Sequence, residues 1–159
     1  RYPDDDETAG IAGGIYKRRW DRDATQTKAL AKAHELYRKQ WEKGKKINAY
    51  LGVNAAATAL YLGDAEGARA IAGAVAEAMD KRDGALAAAN LKPQDGGLAE
   101  YYDRVSRAEA LLISGQLDTA RSAYAAAFAD YPQFGGAIDG TKSQARRIAA
   151  ALGVQDVAA

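Results

Sequence analysis

The residues of this sequence that could do chemistry lack the partners that such chemistry needs. The stretch GGAIDGTKS, residues 135–143, has the glycines and the lysine of a phosphate-binding loop. In such a loop the lysine directly follows the second glycine, whereas here Thr141 stands between Gly140 and Lys142, and a helical pattern precedes the stretch. We interpret it as a loop in which Asp139 or Thr141 caps the last helix.

Nucleophilic and metal chemistry are no better supported. His34 is the only histidine and the chain has no cysteine, so neither a Ser-His-Asp or Cys-His centre nor a cysteine zinc site is expected. The carboxylates of Asp4, Asp5, Asp6 and Glu7 are adjacent rather than spaced to converge on an ion, and we expect them to cap the first helix. We therefore predict no enzyme activity, no metal and no cofactor, with His34 at the surface or in a groove.

The charge balance argues against a nucleic-acid-binding protein. Lys and Arg total 22 and Asp and Glu total 21, which gives a net charge of +1, whereas nucleic acid requires a large positive surface. Acidic pairs such as Glu100 and Asp103 are ordinary on solvated helices, and nothing indicates a carboxyl group whose pKa is shifted by burial. No apolar run reaches the roughly 18 residues of a membrane span. We expect a protein or peptide partner, no nucleic acid and no membrane, and self-association stays open.

Composition and periodicity both predict an all-α chain. Alanine is the commonest residue, and alanine, leucine, arginine, lysine and glutamate favour helix. No stretch alternates between apolar and polar residues as a half-buried strand would. Breaks at glycine, aspartate and proline divide the pattern into three helical hairpins, at about 6–43, 47–88 and 98–131, and a capping helix at about 141–152. We interpret residues 1–159 as a single helical-repeat domain.

Two hairpins share one pattern of small residues. Gly63 and Gly115 each stand between two helices, and each is followed five residues later by an alanine, Ala68 and Ala120. Ala120 is in turn followed by an aromatic, a second small residue and a proline, which are Tyr124, Ala127 and Pro132. This spacing is typical of a tetratricopeptide hairpin, in which small residues let two helices press together and an aromatic fills the gap.

Four segments in this order suggest a narrower resemblance: ETAGIAGGIYKRRWD, INAYLGVNAAATALYLGD, YYDRVSRAEALLISGQLDTARSAYAAAFADYP and SQARRIAAALG. Between about residues 7 and 153 the chain resembles the tetratricopeptide-like TRAF-binding domain of the apoptosis signal-regulating kinases, which are mitogen-activated protein kinase kinase kinases. Bacterial proteins carry similar segments, and the alanine-, glycine- and arginine-rich composition suits a bacterial relative. The resemblance implies a non-catalytic signalling region that binds or regulates other proteins, often beside a kinase or effector domain.

The repeat register also predicts a binding surface, because the first helix of each tetratricopeptide hairpin lines a concave groove. The partner-binding residues predicted in this way are Tyr50, Val53, Asn54, Tyr61, Tyr102, Val105 and Glu109. For the tyrosines, packing between hairpins is an equally good interpretation, and for Asn54 a buried hydrogen bond between helices is favoured. The peptide-carboxylate clamp of some tetratricopeptide proteins is not expected, because Tyr102 and Ser106 stand where it needs basic residues.

Two functions follow from these observations. The first is a scaffold that binds a segment of a partner protein in the groove. The second is a regulatory or sensory domain of a larger signalling or effector enzyme that binds a small ligand or nucleotide. The absence of cysteine and of a visible secretory leader favours a cytoplasmic location. Because the sequence begins with Arg1, we interpret it as a piece of a longer protein.

Overall fold

The computed structural model describes residues 6–45, 47–91 and 97–159, and of residues 6, 7 and 9 it describes the backbone alone. Within these ranges the chain forms seven α-helices, one short 3-10 helix and no strand, so the predicted all-α class is confirmed. The acidic side chains expected to cap the first helix lie outside the described residues. The helices are α1 (Asp6–Arg22), α2 (Thr27–Lys43), α3 (Ala49–Tyr61), α4 (Ala65–Ala88), α5 (Leu98–Ile113), α6 (Leu117–Asp130) and α7 (Gly135–Leu152).

The turns inside the second and third hairpins have the same geometry. Gly63 has a φ of +89° and Gly115 a φ of +83°, a left-handed conformation that strains any residue with a Cβ atom. In both turns the amide after the glycine donates to the carbonyl five residues earlier: Asp64 to Ala59 at 3.0 Å, and Gln116 to Leu111 at 2.9 Å. The two turns are therefore structural copies, as their sequence pattern predicts.

Small residues allow the paired helices to approach closely. Ala68 in α4 and Ala120 in α6 have no exposed surface, as the repeat pattern predicts. A Cβ atom added to Gly52 of α3 would lie 2.5 Å from Cγ2 of Val75 in α4 and 2.7 Å from Nε1 of Trp41 in α2. Glycine at this position is therefore required by packing on two sides at once.

The closing helix does not extend the stack of hairpins. Consecutive hairpins meet through α2 and α3 and through α4 and α5, whereas α7 packs against α3 and α5. An ion pair between Arg147 of α7 and Asp21 of α1 also ties this helix to the first hairpin. As a result, α7 lies along the face formed by the first helices of the hairpins, which is the face expected to carry the groove.

The predicted loop before the closing helix is wrong. Pro132–Phe134 forms the 3-10 helix, and α7 begins at Gly135 rather than near residue 141. Asp139 and Thr141 therefore lie inside the helix and cap nothing, and the resemblance to a phosphate-binding loop is lost. The physical reason is tertiary: Thr141, Ala145 and Ile148 are buried on one face of α7, and this burial outweighs the low helix propensity of the glycines.

Candidate binding groove

The first helices of the three hairpins and α7 line a groove of about 870 Å³. Val53 comes from α3 and Val105 from α5, and both are almost completely buried beneath it. The structure brings together on this surface six of the residues predicted for it: Tyr50, Val53, Asn54, Tyr102, Val105 and Glu109. Their placement follows the repeat register, while their role in binding stays a prediction.

Tyr61 does not line the groove. Its ring stacks on Trp20 of α1, with the ring centroids 5.1 Å apart. Burial raises the pKa of the Tyr61 hydroxyl, which has no hydrogen-bond partner among the described residues. Tyr61 thus packs between the first and second hairpins, which was the alternative interpretation for the tyrosines.

Four polar side chains form the floor of the groove: Lys17, Asn54, Glu109 and Gln144. The Lys17 ammonium donates to Asn54 Oδ1 at 3.0 Å and also to Gln144 Oε1. Gln144 Nε2 donates to Glu109 Oε2 at 3.2 Å. Asn54 Nδ2 donates to the carbonyl oxygen of Tyr50 at 2.9 Å, which turns Oδ1 towards the lysine. The favoured interpretation of Asn54 as a link between helices is correct, and the same residue also faces the groove.

Both charged groups of the floor are removed from water. Lys17 is 8% exposed and Glu109 is 6% exposed. Burial lowers the pKa of Lys17 to about 8, against the opposing effect of the Glu109 and Asp21 carboxylates. Burial likewise raises the pKa of Glu109, against the opposing effects of the Lys17 charge and the Gln144 hydrogen bond. Nothing in the sequence pointed to Glu109 as a carboxyl group whose pKa is shifted by burial.

Two tyrosines stand above the floor. Tyr50 of α3 is 42% exposed and Tyr102 of α5 is 40% exposed. Each is held by an edge-on contact with a buried tyrosine: Tyr50 with Tyr37 at 6.3 Å, and Tyr102 with Tyr101 at 5.4 Å between centroids. Because one side of each ring is already packed, little side-chain entropy is lost when the exposed side meets another molecule.

The groove continues beyond these tyrosines. A second cavity of about 360 Å³ shares Tyr50, Tyr102 and Ser106 with the first. Its lining also includes Ile47, which is 71% exposed, and the paired Arg82 and Asp103. The two cavities therefore adjoin at the shared residues, and polar and apolar side chains line both.

Charged residues where α4 meets α5 are paired directly. Arg82 of α4 donates through two nitrogens to both carboxylate oxygens of Asp103 in α5, each at 2.7 Å. Arg107 of α5 pairs with Asp83 at 2.7 Å and with Asp80 at 2.5 Å. We call these five residues the α4–α5 seam. Its arginines are about one third exposed, so the seam is a solvated set of ion pairs between hairpins.

His34 lies outside the groove and off the open surface. It is half-buried between α2 and α3, with Nδ1 3.1 Å from the carbonyl oxygen of Ala55 and 3.2 Å from Thr58 Oγ1. A carbonyl oxygen only accepts, so Nδ1 carries the proton. Burial lowers the pKa of His34. The expectation of a surface or groove histidine is therefore wrong, and the side chain joins two helices.

Sequence reasoning missed Lys17 and Gln144. A signal for Lys17 exists: Gly10, Gly13 and Lys17 recur at helical spacing, and a Cβ atom on Gly13 would lie 2.7 Å from Cζ of the Tyr37 ring. The glycines thus mark the packed face of α1, and Lys17 follows on it. Gln144 gives no comparable local signal, because its place in the groove depends on how α7 folds back.

No centre for metal chemistry is found in the part of the chain that the structure describes. There, no group of three or more histidine, aspartate or glutamate side chains could hold a metal ion. The helices described are each too short or too polar to cross a membrane. The groove presents the buried Lys17 and Glu109 side chains and the exposed rings of Tyr50 and Tyr102, which are groups suited to binding.

Comparison with known proteins gives a partial match. Residues 1–62 match the family model described as TPR-S, Tetratricopeptide Repeats-Sensor. The matched span contains Lys17, Tyr50 and Asn54 of the groove. No curated protein and no solved structure matches the chain. Together, the match and the helices support a tetratricopeptide-like helical array. The narrower likeness to the TRAF-binding domain and the bacterial origin stay predictions.

Proposed function

We propose that this chain is a non-catalytic interaction domain that binds an extended segment of a partner protein along the groove. The observation that the two cavities adjoin and share Tyr50 and Tyr102 carries this proposal. A compact ligand fills one cavity of ordinary ligand size, whereas a peptide crosses several subsites in sequence. The two adjoining cavities, with a polar floor, two aromatic rings and Ile47 beside the Arg82–Asp103 pair, suit the second case.

The tyrosines supply the binding energy in this proposal. Both are exposed on one side and packed on the other, and tyrosine is enriched among the residues that dominate binding energy at protein interfaces. The seam lies just beyond them, and its arginines and carboxylates satisfy one another. We therefore assign affinity to Tyr50 and Tyr102 and leave the seam to hold α4 against α5.

A second candidate function has its own observation. Lys17 and Glu109 are buried ionisable groups with shifted pKa values that face a cavity, and such groups are enriched at ligand-binding sites. The description of the matched family contains the word Sensor. A regulatory domain that binds a small polar ligand on the floor would use the same residues without needing the second cavity.

Peptide display tests the proposal. Random peptides displayed on phage are selected on the wild type, on the double variant Tyr50→Ala/Tyr102→Ala, and on the matched control Ile11→Ala/Ile15→Ala. The two isoleucines are more than half exposed on α1 and lie outside both cavities. We expect the wild type and the control to retain the same peptides, and the tyrosine variant to lose at least about tenfold in affinity for each ring removed.

The result that overturns the proposal is equal retention by the tyrosine variant with its helical circular dichroism intact. The second candidate predicts a different outcome. In that case no peptide is enriched, while small polar molecules raise the melting temperature of the wild type and of the tyrosine variant alike.

A further inference from the structure

The hydrogen bonds of Gln144 show which chemical group satisfies both charges of the floor. The Gln144 side chain joins the two buried charges: its oxygen accepts from the Lys17 ammonium and its nitrogen donates to the Glu109 carboxylate. The two charges do not form a direct ion pair. A primary carboxamide is thus the group that this part of the molecule already uses to satisfy a buried cation and a buried anion together.

Lys17 and Glu109 each retain unused hydrogen-bonding capacity after their contacts with Gln144 are counted. The Lys17 ammonium has three N–H donors, and it uses two of them on Asn54 and Gln144. The Glu109 carboxylate accepts at Oε2, and among the described residues no donor meets Oε1. Lys17 and Glu109 are each more than nine-tenths buried, and both line the groove. One donor and one acceptor therefore remain unused on groove-lining side chains that water hardly reaches.

We propose that the floor recognises a primary carboxamide supplied by an asparagine or glutamine side chain of the bound segment. The amide oxygen accepts the third Lys17 proton and the amide nitrogen donates to Glu109 Oε1, which repeats the pattern of Gln144. This inference rests on the proposed function, because it places one side chain of the segment that the groove binds. It adds the residue type on which selection depends.

Other side chains fit the floor less well. A carboxylate gains from Lys17 and is repelled by Glu109, and a basic group meets the reverse situation. An alkyl group satisfies neither side and leaves two buried charges with unmet hydrogen-bonding capacity, which is costly. The carboxamide alone among these presents a donor and an acceptor without bringing a net charge into a buried pair.

The charges of the floor can be removed one at a time to test this inference. Random peptides are selected at pH 7 on the wild type, Glu109→Gln and Lys17→Met, with Asp118→Asn on the exposed start of α6 as the control. We expect asparagine and glutamine to be enriched at one peptide position by at least about tenfold on the wild type and the control. Selection should move to aspartate and glutamate on Glu109→Gln, and to lysine and arginine on Lys17→Met.

A second arm needs no substitution. At pH 9 most of the Lys17 ammonium, whose pKa is about 8, has lost its proton. The other charged groups that face it are those of Glu109, Asp21, Arg18 and Arg147. Peptide selection on the wild type should then shift towards lysine and arginine. This arm remains decisive if circular dichroism shows that a variant does not fold.

A third arm separates this inference from the proposed function. The wild type is titrated with propanamide, propanoate and propylamine, and the side-chain amide resonances of Gln144 are followed by nuclear magnetic resonance. If propanamide alone shifts them while no peptide is enriched, the carboxamide site stands and the peptide function fails. If peptides are enriched without preference for asparagine or glutamine, or with preference for a charged residue, the inference is overturned and the function stands. If propanamide does not shift the Gln144 resonances and no peptide is enriched, the inference and the proposed function are both overturned.

Discussion

The groove floor and the α4–α5 seam hold opposite charges in two different ways. In the seam, Arg82 meets Asp103 through two short hydrogen bonds, and water screens the pair. In the floor, Lys17 and Glu109 are both buried and are joined only through the amide of Gln144. In the seam, opposite charges pair directly with one another. In the floor, Lys17 and Glu109 line a cavity and retain unused hydrogen-bonding positions.

The difference teaches which charges serve the fold and which are available to a ligand. A solvated ion pair contributes modestly to stability, because the gain in attraction is offset by screening and side-chain entropy. Buried charges that lack direct partners lower stability, because desolvation outweighs attraction. The lowered pKa of Lys17 and the raised pKa of Glu109 both indicate that the folded state disfavours the charged forms. Under the proposed function, the fold retains these groups for binding at the expense of stability.

The largest expected effect is the pH dependence of Lys17. Its pKa is about 8 in the folded state and 10.5 ordinarily, so between these values the unfolded chain binds the proton more tightly. Folding then releases a proton, and the free energy of unfolding rises with pH. From pH 8 to pH 10 we expect the wild type to gain about 2 kcal/mol relative to Lys17→Met. Urea denaturation of both proteins across this range measures the gain.

The seam provides the control for this prediction. The hydrogen bonds that Arg82 donates to Asp103 raise the pKa of the guanidinium above its already high ordinary value. The guanidinium therefore stays protonated in the folded and unfolded chains throughout the range, and the gap between the wild type and Arg82→Met should stay constant. The prediction is contradicted if the difference in free energy of unfolding between the wild type and Lys17→Met is equally constant. The floor would then be no more desolvated than the seam.

Replacement of both charges at each place should change stability with opposite signs. Lys17→Met/Glu109→Leu removes two desolvated groups at nearly constant volume, and we expect the free energy of unfolding at pH 7 to rise by about 1 kcal/mol. Arg82→Met/Asp103→Leu removes a favourable solvated pair, and we expect a fall of up to about 1 kcal/mol. The denaturant midpoints of the two double variants measure these changes. If the floor variant loses more free energy of unfolding than the seam variant, the floor charges stabilise the fold and the prediction is wrong.

The smallest expected effect is that of salt. Screening acts mainly on charges in contact with water, so the coupling between Arg82 and Asp103 in a double-mutant cycle should fall by a few tenths of a kcal/mol, from about 0.5 kcal/mol, between low salt and 1 M sodium chloride. The coupling between Lys17 and Glu109 should change less over the same range. Equal salt dependence at the two places would mean that water reaches the floor as freely as the seam.

Local signals in the sequence predicted the hairpins correctly. Gly63 and Gly115 end helices because only glycine adopts a left-handed φ without strain, and Asp64 caps α4 by accepting from the amide of Gly67 at 2.8 Å. Each of these effects involves residues within a few positions of one another. The buried alanines Ala68 and Ala120 follow from the same repeat, since the partner of each helix is its neighbour in the chain.

Predictions from local sequence were wrong where contacts with a distant element determine the structure. Residues 135–140 read as a loop because of their glycines, and they form a helix because the rest of α7 is buried against α3 and α5. His34 was predicted to lie at the surface or in a groove because nothing near it in sequence reveals its contact with Thr58. Lys17 was not singled out in the sequence, and Glu109 was predicted to lie in the groove but not to be a buried charge. Each is nearly buried once the first helices and α7 come together.

The sequence by itself determined an all-α array of hairpins and the helix faces on which Tyr50, Asn54, Tyr102 and Glu109 lie. It could do so because helix caps, left-handed glycines and helical periodicity act over one or two turns of chain. Only the tertiary structure decided that α7 closes the groove and that Gln144 joins Lys17 to Glu109. Those contacts span 127 and 35 positions, and their strength depends on the exclusion of water, which no local pattern of residues records.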